Sequence, residues 1–94
     1  MILIVAFELV DPAHNQLAVV NKIRNYGDWA RVTETTYLVN TNHSPRQVRD
    51  WIATALTDGD AIYVSRLSSS AETSQASAWL GFPEILTNWI RERQ

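Results

Sequence analysis

The stretch ILIVAFEL, residues 2–9, decides the fold of this chain. It is apolar at every position except Glu8 and is rich in β-branched and aromatic residues, which predicts a strand buried on both faces. Successive side chains of a strand point to opposite sides, so Ile2, Ile4 and Ala6 form one apolar face and the odd-numbered residues form the other. We therefore place this strand at the centre of a sheet that needs a cover on both sides.

A helix and a pair of short strands follow in the sequence. Asp11 predicts the helix start, because its carboxylate can accept free backbone N–H groups and Pro12 suits the first helical position. The helix is expected to end by Gly27. Segments 29–34 and 35–42 are rich in Val, Thr, Tyr and Trp. This composition predicts two half-buried antiparallel strands joined as a hairpin, or one strand with a bulge.

The segment SPRQ, residues 44–47, gives the clearest local signal in the chain. It combines a serine cap, a proline at the first helical position and a glutamine placed to close a capping box, which together predict a second helix. Turn residues at 58–60 then lead into a strand at 61–67. The apolar positions of the second helix, which we expect to face the core, are Val48, Trp51, Ile52, Ala55 and Leu56.

The predicted elements follow the order βαββαβ, with a further helix at 83–92 that Pro83 opens. A run of small polar residues at 68–78 predicts a flexible loop before that helix. Elements in this order form a four-stranded antiparallel sheet with two helices on one face, which is the ferredoxin-like α+β fold. The chain has 94 residues, which suffice for one such domain, so we assign residues 1–94 to a single domain.

Composition and charge argue against several classes of protein. A formal net charge of −2 argues against a domain-wide basic surface for nucleic acid. The chain has no cysteine, which rules out a disulfide framework, a thiolate nucleophile and sulfur-ligated metals, and fits a cytoplasmic location. The apolar run at 1–7 is too short to span a membrane and has no basic leader, so we predict no membrane segment.

The second face of the predicted sheet indicates a homodimer. With both sheet-covering helices on the first face, Ile2, Ile4 and Ala6 leave the second face apolar at its centre, and such a patch marks an interaction surface. A second copy stacked about a two-fold axis would cover it. The alternative is that the C-terminal helix folds across this face within one chain, although a single short helix covers a four-stranded sheet only in part.

Five short motifs of the sequence resemble those of one known family. They are AFEL at 6–9, YGDW at 26–29, TTYLV at 35–39, RD at 49–50 and AWxG at 78–81. With the order of elements, they are similar to the small SinR-like proteins. These are related to the second CRISPR-associated (Cas) protein, a dimeric ferredoxin-fold partner of the spacer integrase. The resemblance spans nearly the whole chain and implies the same fold and a homodimer.

The resemblance also directs attention to the residue that ends the first strand. In the CRISPR-associated family an aspartate there binds a divalent metal near the dimer axis, and some members cleave phosphodiester bonds. This chain has Glu8 at that position. Glutamate is a competent oxygen ligand for Mg²⁺, but it is one methylene longer and would hold the ion in a different place.

Glu8 is therefore the candidate catalytic and metal-binding residue. On the face of Ile4 and Ala6, two copies related by a two-fold axis could approach each other and share a metal ion. Asp11 is a second candidate ligand. The simpler interpretation makes Glu8 a solvated carboxylate at a strand end and Asp11 a helix cap.

Three functions remain open from the sequence. The first is a homodimeric, non-catalytic module that binds a protein through the 68–78 loop and the C-terminal helix, or binds nucleic acid through arginines. The second is a Mg²⁺-dependent endonuclease for DNA or RNA with paired Glu8 residues, and the third is a toxin-like ribonuclease of the related VapD kind. Mg²⁺ is the only cofactor implied, and only for a catalyst. The candidate nucleic-acid contacts, each of which could equally be a solvated surface charge, are Arg31, Arg46, Arg49 and Arg66.

Overall fold

The computed structural model describes residues 1–67 and 83–93 of the chain. The small α+β architecture expected from the sequence is confirmed for these residues, whereas the loop predicted at 68–78 lies outside them. The elements, in chain order, are β1 (Ile2–Glu8), α1 (Pro12–Arg24), β2 (Trp29–Thr33), β3 (Thr36–Asn40), α2 (Pro45–Ala53), β4 (Ala61–Arg66) and α3 (Glu84–Arg93).

The four strands form one antiparallel sheet in the order β2-β3-β1-β4. β1 lies in the interior of the sheet and pairs with β3 on one side and with β4 on the other. β2 and β4 are the edge strands of the described sheet. None of the described helices has the length and apolar character needed to cross a membrane.

The first face of the sheet packs against α1 and α2 and forms the main core. Leu3 and Val5 of β1 have no solvent exposure, as expected for the odd-numbered face of this strand. Burying a side chain of this size contributes roughly 1.5 to 3 kcal/mol to folding, so this face supplies most of the apolar stabilisation. The buried members of the main core are Leu3, Val5, Phe7, Val19, Ile23, Tyr37, Val39, Val48 and Ile52.

The two helix starts differ from each other. The capping box predicted at Ser44 is present, since Ser44 Oγ accepts from the Gln47 backbone N–H at 3.1 Å and Gln47 Oε1 accepts from the Ser44 N–H at 2.8 Å. Asp11 occupies the cap position of α1, with Pro12 following it, but its carboxylate makes no capping hydrogen bond. Its ψ of 85°, against 160° at Ser44, departs from extended cap geometry. The expected role of the Asp11 side chain as a cap is therefore wrong.

The structure also corrects the expected position of Trp51. The sequence pattern put this residue on the core face of the second helix, but its side chain is 40% exposed. Its indole N–H donates to the backbone carbonyl of Lys22 at 3.2 Å, and the Lys22 ammonium lies 3.8 Å from the ring centroid. Trp51 therefore packs against the last turns of α1 rather than between α2 and the sheet.

The C-terminal helix covers part of the second sheet face. Leu86 and Ile90 of α3 are buried against Ile2 of β1 and Leu38 of β3, which form a second, smaller core. The expectation that this face is bare in one chain is therefore wrong. The apolar side chains of α3 and those of the sheet are both buried when they pack against each other. The cover is incomplete, since Tyr63 of β4 on the same face is 61% exposed.

Asp28, at the start of β2, ties α3 to the sheet through polar contacts. Its carboxylate accepts from Arg93 Nη2 at 2.9 Å and Nε at 3.0 Å, from the Trp89 indole N–H at 3.2 Å and from Asn40 Nδ2 at 3.0 Å. The hydrogen bonds from Arg93 lower the pKa of the Asp28 carboxyl, and the same pairing raises the pKa of Arg93. α3 is thus docked by two apolar side chains and one charged cluster.

Removing the Arg93 guanidinium should loosen α3. In Arg93→Ala, Asp28 keeps its donors on Trp89 and Asn40 but loses its charged partner. A partly exposed hydrogen bond between charged groups contributes about 1 kcal/mol, equivalent to about a fivefold change in an opening equilibrium. We expect the backbone amides of α3 to exchange with solvent about fivefold faster, measured by native-state hydrogen exchange.

Asn88→Ala is the matched control for that experiment. Asn88 is exposed on the same helix, and its side chain makes no hydrogen bond within the described residues. Asn88→Ala gains more helix propensity than Arg93→Ala, because arginine is already a good helix former, so α3 should exchange no faster than in wild type. If α3 exchanged equally fast in Arg93→Ala and Asn88→Ala, the Asp28–Arg93 pair would not hold the helix.

Candidate functional site

Glu8 ends β1 at the border of the second sheet face. It pairs with Ala61 of β4, and its side chain is exposed. Two open cavities, of about 330 Å³ and about 250 Å³, flank it. This position gives the Glu8 carboxylate access to solvent and to a ligand. Besides Glu8 and its neighbours in β1, the cavities are lined by Pro12, Gln16, Glu34 and Thr35 on one side and by Ala61, Ile62 and Tyr63 on the other.

The carboxylates near Glu8 do not form a metal cluster within residues 1–67 and 83–93. No three His, Cys, Asp or Glu side chains of these residues come together in a way that could hold an ion. Asp11 is exposed three residues after Glu8, and Glu34, which the sequence analysis did not single out, lines one cavity with Glu8. Mg²⁺ often uses only one or two protein carboxylates and keeps several waters. The assignment of Glu8 and Asp11 as metal ligands therefore stays a prediction. A single chain would offer the ion few protein ligands.

Asp60 organises the loop that carries Glu8 and Asp11. Its Oδ1 accepts from the Val10 backbone N–H at 2.8 Å, and its Oδ2 accepts from the Thr57 N–H at 2.8 Å and the Thr57 hydroxyl at 2.9 Å. These bonds, the one from Val10 foremost, hold the pKa of Asp60 far below its usual value. The turn at 58–60 was expected from the sequence, but this link between two loops was not.

The same turn depends on glycine at position 59. Gly59 has a φ of +88°, a conformation that residues with a Cβ rarely adopt. A Cβ added there would lie 2.9 Å from Cγ2 of Val10. The close approach of the two loops therefore requires Gly59 as well as Asp60.

Asn15 extends this network into the main core. Asn15 is a polar residue of α1, yet it is only 6% exposed. Its Nδ2 donates to the Ala55 carbonyl and to Asp60 Oδ2, both at 2.9 Å, while its Oδ1 is buried and has no hydrogen-bond partner within the described residues. The two donated bonds fix the orientation of the amide and join α1 to the end of α2.

The four candidate arginines do not form one surface patch. All four are exposed, but Arg31 lies on edge strand β2 and Arg66 on the opposite edge strand β4. Three strand spacings of about 4.8 Å separate these edges. Arg46 and Arg49 lie on α2, where Arg49 pairs with Asp50 at 2.8 Å. Arg46 therefore keeps a charge without an acidic partner within the described residues, whereas Arg49 does not.

A third cavity, not anticipated from the sequence, lies between the end of α1 and the start of α2. It has a volume of about 300 Å³ and is lined by Asn25, Tyr26, His43, Gln47 and Trp51. The rings of Tyr26 and His43 meet edge to face with centroids 5.7 Å apart. Burial raises the pKa of the Tyr26 hydroxyl. We call this the α1–α2 cavity; its residues come from two helix ends, which no local motif links.

Comparison of the chain with models of known protein families finds no match, and comparison with curated proteins finds none either. Two places combine exposure with chemically useful groups. One is the surface beside Glu8 and Tyr63, and the other is the α1–α2 cavity.

Replacing Asp60 should change how stability depends on pH. Because the pKa of Asp60 is lower in the folded state, its contribution is fully present above its unfolded pKa, about 3.9, and is lost as the pH falls towards the folded value. Asp60→Asn should be less stable than wild type at pH 7, and the difference should begin to shrink below about pH 4 and keep narrowing down to pH 2. Urea unfolding monitored from pH 7 to pH 2 measures this.

Asp58→Asn is the matched control for this comparison. Asp58 lies in the same turn and is exposed, and its side chain makes no hydrogen bond within the described residues. Its stability profile should follow that of wild type. A constant difference between Asp60→Asn and wild type at every pH would mean that the charge of Asp60 is irrelevant to the loop.

Proposed function

We propose that this chain is a homodimeric interaction module with a ferredoxin-like fold, which works by binding and not by catalysis. The observation that carries the proposal is the open edge strand β4 beside the part of the second sheet face that α3 leaves uncovered. This open half-face comprises Ala6 and Glu8 of β1 with Tyr63 and Ser65 of β4. Tyr63 is large, 61% exposed and part of the edge strand β4. Large exposed aromatics at such a place are typical of interfaces.

The edge strands differ in how they are protected against pairing. Proteins block free edges with charges, prolines and bulges. β2 has a register shift between Arg31 and Thr33 and a charge in its middle. β4 has no proline, a regular register with β1, and a single charge at its last residue, Arg66. β4 is therefore the edge at which a second copy fits.

Self-pairing of β4 would extend the sheet across a two-fold axis. Residues directly opposite in an antiparallel pair point to the same face, so the axis must pass between two copies of one residue. With the axis between the two copies of Tyr63, Ala61 of one copy lies opposite Ser65 of the other. Arg66 then lies opposite Asp60, so no like charges face each other. Two-fold pairs are the commonest soluble assemblies, and a small domain gains much from an additional buried surface. The proposed partner at the β4 edge, beside the open half-face, is therefore a second copy of this chain.

The ferredoxin-like assignment and the SinR-like resemblance belong to this proposal. The element order βαββαβ, followed by α3, and the strand order β2-β3-β1-β4 support a ferredoxin-like arrangement. The resemblance adds an independent expectation of a dimer. Two of its motifs, at 26–29 and 35–39, fall on the Asp28 cluster and on β3, whereas the one at 78–81 lies outside the described residues.

Sedimentation velocity tests the dimer directly. Wild type should sediment at twice the protomer mass of 10.7 kDa at micromolar concentration. Tyr63→Lys should raise the dissociation constant at least about tenfold, because it brings two ammonium groups close to the axis. Leu17→Lys, at a 71% exposed position on α1, is the matched control and should remain dimeric. A monomeric wild type, or equal dissociation constants for both variants, would reject pairing at β4.

A metal-dependent endonuclease is the second candidate, and the exposure of Glu8 beside two cavities favours it. It requires a different dimer. Edge pairing keeps the two copies of Glu8 three strand spacings apart, roughly 14 Å, and offset along the strand. They could not then share one Mg²⁺, whose ligands lie about 2.1 Å from it. A nuclease of this type would need the open half-faces stacked on each other.

Incubation with single- and double-stranded DNA and RNA, in Mg²⁺, Mn²⁺ or chelator, separates the candidates. The binding module predicts no cleavage, and any nucleic-acid binding should weaken as salt rises. A Glu8-centred nuclease predicts cleavage that chelator abolishes and Glu8→Gln reduces at least about a hundredfold, while Glu84→Gln, an exposed carboxylate on α3, leaves it unchanged. RNA cleavage that resists chelator and Glu8→Gln would instead favour the VapD-like ribonuclease.

A further inference from the structure

The α1–α2 cavity has the size and walls of a small-molecule site. Its volume of about 300 Å³ is at the lower end of the range for ligand pockets, which fits one planar ring system. Three of its five lining residues, Tyr26, His43 and Trp51, are aromatic. Aromatic side chains recognise flat ligands by stacking and by edge-to-face contacts. The cavity therefore favours a flat aromatic ligand over a branched aliphatic one.

The polar groups at this cavity lack partners within the chain. The Asn25 carboxamide, the Tyr26 hydroxyl and the His43 imidazole make no hydrogen bond within the described residues. Gln47 Oε1 accepts a hydrogen bond from the Ser44 N–H in the capping box, so the NH₂ group of Gln47 is left as a donor for a ligand. A ligand without polar atoms would bury these groups unpaired, which is costly. The ligand should therefore carry donors and acceptors around the edge of its ring.

The charges around the cavity are positive. The Lys22 ammonium lies over the Trp51 ring, and Arg46 precedes Gln47 in the first turn of α2. Neither has an acidic partner within the described residues, whereas the nearby Asp50 is paired with Arg49. A ring system that carries an anionic group would therefore be bound better than a neutral one.

We propose that the α1–α2 cavity binds the adenine base of a nucleotide, with Lys22 and Arg46 near its phosphate. An asparagine carboxamide offers the donor and acceptor pair that matches the edge of adenine, and Asn25 is the residue free to use it. The base could belong to a free nucleotide or to a single strand of nucleic acid. The cavity lies in the helix layer, away from the open half-face, so this site does not depend on the proposed dimer.

Nuclear magnetic resonance of the tryptophan indole N–H groups tests the proposal. The signal of Trp51, identified by its loss in Trp51→Phe, should shift on addition of adenosine 5′-monophosphate. Ribose 5-phosphate, which has the phosphate but no base, should produce a much smaller shift. A short single-stranded oligodeoxyadenylate tests the second source of the base; tighter binding of the oligonucleotide than of the mononucleotide would assign the site to nucleic acid.

Asn25→Ala and Asn21→Ala provide the matched pair of variants. Asn25 is in helical conformation at the end of α1, so alanine fits there without strain. Asn21 is exposed one turn earlier on the same helix and does not line the cavity. We expect Asn25→Ala to weaken binding of adenosine 5′-monophosphate about tenfold and Asn21→Ala to leave it unchanged. Equal affinities in the two variants, an equal response to ribose 5-phosphate, or no response to either adenine probe at millimolar concentration would overturn the proposal.

Discussion

The structure depends on one constraint, which is that β1 is apolar on both of its faces and must be covered from both sides. α1 and α2 cover the first face over β1, where Leu3 and Val5 are fully buried. α3 covers only part of the second, through Leu86 and Ile90. The proposed interface follows from this difference, because the second face stays open beside β4, whereas the α1–α2 cavity lies at the end of the helix layer.

The polar network complements this apolar frame. Asp60 fastens the loop after β1 to the turn before β4, and Asp28 fastens α3 to the start of β2. Each of these carboxylates accepts several hydrogen bonds from protein donors in place of water. These bonds stabilise the charged form of the carboxylate and hold the connected segments together. The candidate residues Glu8 and Asp11 belong to a segment that is held at one end by a strand and at the other by Asp60. They are exposed, yet their backbone is well anchored.

Local sequence signals predicted the helices and strands. The contacts that shape the candidate sites join residues far apart in the sequence, and local signals did not predict them. The capping box at Ser44 needs only four consecutive residues, and the burial of β1 follows from its own composition. The Asp28–Arg93 pair joins residues 65 apart in sequence, and Asn15 meets Asp60 across 45. Trp51 occupies an apolar position in the periodic pattern of α2. Helix periodicity predicts which residues share a face, but it does not predict whether the sheet or a neighbouring helix covers each of them. The same limit hid the α1–α2 cavity, which forms only when two helix ends meet.

The placement of α3 has a thermodynamic consequence for assembly. α3 and a copy stacked over the whole second face would occupy the same surface of Ile2 and Leu38, so only one of them can be there at a time. By linkage, whatever strengthens the hold of Asp28 on Arg93 must weaken such stacking by the same factor, and face-to-face association must in turn release the helix. Association along the β4 edge carries no such penalty. For the proposed dimer, the C-terminal helix is thus an intramolecular competitor that favours pairing at the β4 edge over stacking of the second faces.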